Sequence, residues 1–167
     1  MATTKDNLAD AFAGESQANR KYLAFAARAE SDGYPEVARL FRASAHAETI
    51  HAHAHLRAMG GIKKTEDNLA TAIDGEGFEF QTMYPPYLEQ ARTEGDKAAE
   101  ASFRNAMVVE EVHYELYQKA LEAVRSGKDL PGRAIYVCDI CGNTVYDKAE
   151  DRCSVCGVPA DKFTLIS

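Results

Sequence analysis

Two sets of residues in this 167-residue chain have types and spacings that could do chemistry. Cys138-Asp139-Ile140-Cys141 and Cys153-Ser154-Val155-Cys156 form CxxC, eleven residues, CxxC, the layout of a tetrahedral four-thiolate metal site. A glycine follows each pair, Gly142 and Gly157. It lets the chain turn closely around a sulfur so that backbone N–H groups can point at it. Spacing alone does not separate iron from zinc, because both take tetrahedral sulfur. The second set is Glu48-Thr49-Ile50-His51 and Glu110-Glu111-Val112-His113, two ExxH motifs whose i, i+3 spacing puts a carboxylate and an imidazole on one helix face. A single such motif on an alanine-rich helix is more often a surface pair than a ligand pair. Two of them, joined by Glu15 and Glu76 on other helices, form the ligand set of the carboxylate di-iron or di-manganese bundles. Oxygen and imidazole donors together suit iron or manganese better than thiolate-seeking metals. His46, His53 and His55 crowd the same helix as His51, but His53 should face away and the other two have no carboxylate at ligand spacing. They read as structural or surface residues.

These groups have to be positioned by two regions of different grammar. Residues 1–127 are rich in Ala, Glu, Leu, Lys and Arg, good helix formers, with an apolar period near 3.6. Leu8, Phe12, Tyr22 and Phe25 mark a first helix, closed by Asp32-Gly33. Pro35 opens a second, with Val37, Leu40, Phe41, Ala45, Ala52 and Leu56, ending at Gly60-Gly61. A third begins between Thr65 and Leu69 and runs to Gly95, with a kink or interruption expected at Pro85-Pro86. A fourth opens on Asp96 as N-cap and runs to Gly127. Four helices of this length make a bundle. Gly127, Pro131 and Gly132 then open a linker over 128–133, and residues 134–167 read as a small β/loop module pinned by metal. Glu15, Glu48, Glu76, Glu79 and Glu110 fall on or beside the apolar stripes. Buried carboxylates are costly without a compensating cation, so metal is expected among them.

These features together resemble the rubrerythrin family, a ferritin-like di-iron bundle fused to a C-terminal rubredoxin-like domain that holds one iron on four cysteines. The stretches that carry the resemblance are Ala13-Gly14-Glu15-Ser16-Gln17, the Glu48 and His51 pair, Gly75-Glu76-Gly77-Phe78-Glu79 running on to Met83-Tyr84-Pro85, the Glu110 and His113 pair, and the two CxxCG knuckles. The resemblance implies a mainly α fold with a di-iron domain over 1–127 and a rubredoxin-like domain over 134–167. It implies iron ligation by Glu15, Glu48, Glu76, Glu79, Glu110 and His113, with His51 alternating with Glu79 as iron changes oxidation state. Tyr22 and Tyr84 match tyrosines that hydrogen-bond around the cluster. Cys138, Cys141, Cys153 and Cys156 would hold one iron, with zinc an alternative occupant. The implied activity is a peroxidase: hydrogen peroxide is reduced to water at the two non-haem irons, which are re-reduced through the four-cysteine iron. No GxGxxG fingerprint occurs, so NAD(P)H would act through a separate reductase or rubredoxin.

The rest of the sequence sets bounds on partners. A formal charge of −7 argues against binding nucleic acid or an anionic membrane through electrostatics. No membrane-spanning or secretory pattern is present, so a cytoplasmic protein is expected, where reduced thiols favour metal over disulfides. A ferritin-like bundle closed within one chain needs a crossover over Gly60 to Asn68 of about 26 Å, near the roughly 30 Å reach of nine residues. That is taut. The relaxed alternative is a domain-swapped homodimer, in which the first helix pair of one chain shares a metal pair with the second helix pair of another. Two competing functions fit the same residues less completely. Ferroxidase or iron-storage chemistry would not need the four-cysteine module, and a metal-stabilised protein with a zinc tail would not turn over.

Overall fold

The computed structural model describes residues 2–166. It bears out the expected class, four helical rods followed by a small antiparallel sheet. The chain divides into two compact units, the first ending at Lys63 and the second starting at Lys64.

The first unit is a helical hairpin of α1 (Thr4–Ser31) and α2 (Pro35–Ala58). Thr3 and Asp6 start α1 with a reciprocal capping box: the Asp6 N–H donates to Thr3 Oγ1 at 3.2 Å, and the Thr3 N–H donates to Asp6 Oδ2 at 2.8 Å. Two otherwise orphaned N–H groups are thereby satisfied. Gly33 turns the chain with φ +84°, and Pro35 sits in the first turn of α2, where its missing N–H is not needed. The seam is made of small residues, Ala26, Ala29, Ala38, Ala45 and Ala52, which are all buried. Asn19 is the buried polar group among them, donating from Nδ2 to the Ala45 carbonyl at 2.6 Å and to Thr49 Oγ1 at 2.8 Å. Large apolar side chains stay uncovered, including Leu40 at 66% exposure and Phe25 at 47%. An alanine seam lets two helices approach closely, but it buries too little apolar area to hold a hairpin by itself.

The second unit begins with α3 (Thr65–Phe78), a π turn (Glu79–Met83) and α4 (Tyr84–Glu94). Backbone angles remain right-handed helical through Phe78, Glu79, Met83 and Tyr84, so the three pieces form one interrupted rod. The interruption expected at Pro85-Pro86 lies just upstream of them. The prolines occupy the first turn of α4, and the widened turn before them moves away the carbonyls that their rings would otherwise strike. The Tyr84 N–H donates to the Glu79 carbonyl, five residues back. Gly95 ends α4 with φ +72°, and Asp96 caps α5 (Lys97–Arg125), its Oδ1 accepting from the N–H groups of Ala98 and Ala99 at 3.0 Å. Gly77 is buried against α5, where a Cβ would stand 3.2 Å from a ring carbon of Tyr114. Leu88, Ala91, Val109, Ala120 and Leu121 form the buried apolar centre of these helices.

The C-terminal part is an antiparallel sheet of order β2-β1-β3, built from β1 (Ile135–Cys138), β2 (Thr144–Tyr146) and β3 (Phe163–Ile166). Ile135 pairs with Tyr146 on one side and Ile166 on the other. Arg133 adds a two-pronged ion pair to Asp147 and lies 4.9 Å from the centre of the Tyr146 ring. β2 packs against α5, so the sheet belongs to the same compact unit as α3 to α5.

Candidate metal centres

Among the described residues, three groups of side chains converge closely enough to hold a metal ion, with ligand atoms within 4.8 Å of one another in each group. They are Glu15, Glu48 and His51 in the first unit, Glu76, Glu110 and His113 in the second, and the four cysteines. Each ExxH motif forms the same local pair. His51 Nδ1 lies 3.0 Å from Glu48 Oε2, and His113 Nδ1 lies 2.9 Å from Glu110 Oε2. The third member comes from the neighbouring helix in both cases, with Glu15 Oε1 3.9 Å from His51 Nδ1 and Glu76 Oε2 4.0 Å from His113 Nδ1. In each group one δ nitrogen faces two carboxylates, an arrangement that suits a hard or borderline cation.

The two groups differ in exposure: His51 is 55% exposed, whereas His113 is 28% exposed. Around His113, burial and the neighbouring Glu110 carboxylate raise the Glu76 carboxyl above its ordinary value, with His113 opposing. Burial and Glu76 do the same to Glu79. The Tyr84 phenol is raised by burial, then by Glu79, Glu110 and Glu76. Glu79 and Tyr84 thus stand in the field of this group without belonging to its three closest members. Tyr22 packs in the first unit against Phe25 and Phe41, with ring centres 6.4 and 6.1 Å away. His46 and His53 are exposed and His55 is half-buried, all outside the ligand groups.

The four cysteines are free thiols. Cys138 Sγ lies 3.7 Å from Cys156 Sγ, and Cys141 Sγ lies 3.5 Å from Cys153 Sγ. A tetrahedron with metal–sulfur bonds of about 2.3 Å has edges of about 3.8 Å, so the sulfurs fit a single ion. Both loops are closed the same way. The Gly142 N–H donates to the Cys138 carbonyl and the Gly157 N–H to the Cys153 carbonyl, each at 2.8 Å, with both glycines at positive φ. Backbone N–H groups also reach the sulfurs. Burial opposes ionisation of Cys153, but N–H groups of Cys156 and Val155, helped by the Cys141 and Cys156 side chains, outweigh it, and the thiol falls to about 7. Burial pushes Cys141 up instead, with the Asn143 N–H opposing. Such N–H groups stabilise thiolate charge.

Several residues at these sites carry no sequence signal. Thr144 Oγ1 lies 3.0 Å from His113 Nε2, and nothing local marks a threonine in a cysteine module as the neighbour of a helix histidine. Asn143, 2% exposed, donates from Nδ2 to Glu150 Oε2 at 3.1 Å and to Cys153 Sγ at 3.7 Å. Its position directly after CxxCG is the only available pointer. Asn19 ties α1 to α2 one turn beyond Glu15, a role that only the tertiary fold reveals.

Comparison with known proteins agrees with these centres. A family model described as rubrerythrin matches residues 6–121, and one described as the rubrerythrin rubredoxin-like domain matches residues 136–164. Rubrerythrin-2 of Clostridium acetobutylicum is 39% identical over 97% of this chain and 96% of its own length. Nigerythrin of Nitratidesulfovibrio vulgaris is 32% identical over 98% of this chain and 87% of its own length. Among solved structures, fully reduced, all-ferrous nigerythrin superimposes with a TM-score of 0.56 at 32% identity, covering 99% of this chain and 88% of that one. With matching carboxylate–histidine groups on two helix pairs, a four-thiolate group in the C-terminal part and family models over both regions, this chain belongs to the rubrerythrin family.

Proposed function

We propose that the protein is a peroxide reductase, converting hydrogen peroxide to water at a non-haem di-iron centre fed with electrons through its four-cysteine site. The observation that carries this reading is that one compact unit, starting at Lys64, holds both a carboxylate–imidazole group and a four-thiolate group. Iron storage or simple ferroxidation has no use for a thiolate site beside the carboxylates. Two irons held by Glu15, Glu48, His51, Glu76, Glu79, Glu110 and His113 would supply the two electrons that split the O–O bond, and an iron among the thiolates would return them.

The protein's own groups have separable roles. Glu48 and Glu110 each sit beside a histidine δ nitrogen and deliver two donors from one helix turn. Glu79, its carboxyl raised by burial and Glu76, holds a proton more readily than an exposed glutamate while no metal is bound, and would give it up on becoming a ligand. Tyr84, kept as a phenol by burial and three carboxylates, offers an O–H donor. His51 is the more exposed imidazole, which supports its part as the ligand that exchanges with Glu79. Electrons from NAD(P)H would arrive through a separate reductase or rubredoxin.

The helix boundaries support a domain-swapped homodimer. α2 continues ten residues past Glu48 to Ala58, and α3 begins eleven residues before Glu76 at Thr65. In a ferritin-like bundle α2 and α3 run parallel, so the connection must descend about 31 Å to bring both ligand levels together. The link from Ala58 to Thr65 reaches only about 25 Å. With α3 starting at Thr65, the connection is shorter than the Gly60 to Asn68 span considered from sequence. Two chains exchanging helix pairs would remove the conflict and cover the apolar faces left open on each pair.

The decisive experiment is metal analysis followed by anaerobic peroxide titration of the reduced protein. Each peroxide takes two electrons, so the first equivalent per di-iron site should reoxidise the two irons, and the single electron of the four-cysteine iron should bring the total for both centres to about 1.5 equivalents. Loss of iron into a growing mineral core, or a colourless zinc tail with no reoxidation, would refute the reading.

A further inference from the structure

His113 is held from both sides. Its Nδ1 faces Glu110 at 2.9 Å and Glu76 at 4.0 Å, while its Nε2 lies 3.0 Å from Thr144 Oγ1 on β2. The Thr144 hydroxyl donates to the Gly142 carbonyl at 3.1 Å. A hydroxyl carries one proton. With that proton directed to Gly142, Thr144 Oγ1 meets the imidazole as an acceptor, and Nε2 must carry the hydrogen. Nδ1 is then the nitrogen with a lone pair to offer, and it is the one aimed at the two carboxylates. β2 packs against α5 here, and the backbone comes close enough that a Cβ added at Gly142 would meet a methyl of Val109, a buried residue one helical turn before His113. A mainly apolar cavity of about 340 Å³, lined by Leu69, Leu116, Ile135 and Tyr146, flanks the pair. In such surroundings an Nε2–H without an acceptor would be costly.

We propose that Thr144 is a positioning residue for His113, so that the cysteine module sets the tautomer and ring orientation of a bundle ligand on its own chain. The inference rests on the metal-binding reading of the bundle, and its test separates the two. The full chain is prepared as wild type, Thr144→Val and Thr144→Ser, with zinc in the thiolates. The His113 Nε2–H is followed by ¹H–¹⁵N NMR in protein whose bundle is metal-free, and cobalt(II) affinity of the bundle is measured by titration. The wild type should show a slowly exchanging His113 Nε2–H, lost in Thr144→Val and kept in Thr144→Ser. Cobalt affinity should fall about 10- to 100-fold in the valine variant, the usual effect of removing a partner behind a ligand, and stay within about twofold in the serine variant. A valine variant that keeps the protected proton, or equal affinity losses in both variants, would overturn the proposal. A wild type with the protected proton but no cobalt binding would refute the metal reading and leave the Thr144–His113 bond standing.

Discussion

Exchanged helix pairs can be tested by complementation. One variant carries Glu48→Ala and so damages the group in the first unit; the other carries Glu110→Ala and damages the group in the second. Alone, either variant is defective in every site, whether sites form within or between chains. In a mixed dimer the arithmetic differs. If helix pairs are exchanged, one site receives both damaged halves and the other receives both intact halves. A heterodimer isolated with two different affinity tags should then recover about half of the wild-type sites, and unselected one-to-one mixing about a quarter, because about half of the dimers are mixed. The structural basis is the shortfall between about 31 Å of required descent and about 25 Å of reach. Bound iron and the amplitude of peroxide reoxidation give independent counts. A tag-selected heterodimer with no recovery in either count would refute the exchange, as would a wild type that stays monomeric by sedimentation while binding two irons.

Three further outcomes follow from the groups described. In the metal-free chain the raised carboxyls of Glu76 and Glu79 retain protons that the unfolded chain has lost. They contribute stability fully present below about pH 4.3 and lost as pH rises through their raised values. Metal-free protein should therefore melt at higher temperature as pH falls from neutrality toward about 5, with a shallower slope in Glu79→Gln; equal slopes would count against the burial of Glu79. Metal loading should show the opposite trend, since ligands must lose protons to bind. Asn143→Ala removes donors from Glu150 and Cys153 and should cost the loaded cysteine module about 1–3 kcal/mol, read as earlier thermal loss of its charge-transfer bands. Asn19→Ala takes away the buried bonds to Ala45 and Thr49 and should destabilise by about 1–3 kcal/mol in urea unfolding, with cysteine-site absorbance unchanged at zero denaturant.

What is legible in the sequence follows the range of the interaction. Glu48 with His51 and Glu110 with His113 lie within one helix turn, so spacing alone predicts their contact, and the structure closes both pairs. The cysteine knuckles are equally local, fixed by CxxC and the glycine after it. Helix ends at Gly33, Gly95 and Asp96 are readable because each satisfies an orphaned backbone group or supplies a positive φ. The start of α3 is readable only to within the range Thr65 to Leu69, at whose first residue it falls, since Thr65 to Asn68 carry no apolar stripe of their own. The interruption expected at Pro85-Pro86 is found as a π turn upstream of them, because proline marks where an α ladder fails, while the neighbouring turn accommodates the failure. Thr144 lies 31 positions from His113, and such a pair exists only after the sheet has docked on α5.

The π turn from Glu79 to Met83 also sets a phase. An α-helix advances each residue by about 100°, so the additional residue in this wide turn rotates everything after it by that amount. Glu76 and Glu79 lie before or at the turn, whereas Leu88 and Ala91, the buried residues of α4, lie after it. Deleting one residue between Gln81 and Met83 would restore a regular ladder yet swing Leu88 and Ala91 out of the core or the carboxylates out of the site. The segment should therefore accept substitutions far more readily than any change in length. Its residue count works as a gear ratio between a carboxylate-bearing side and a packing side on a single rod.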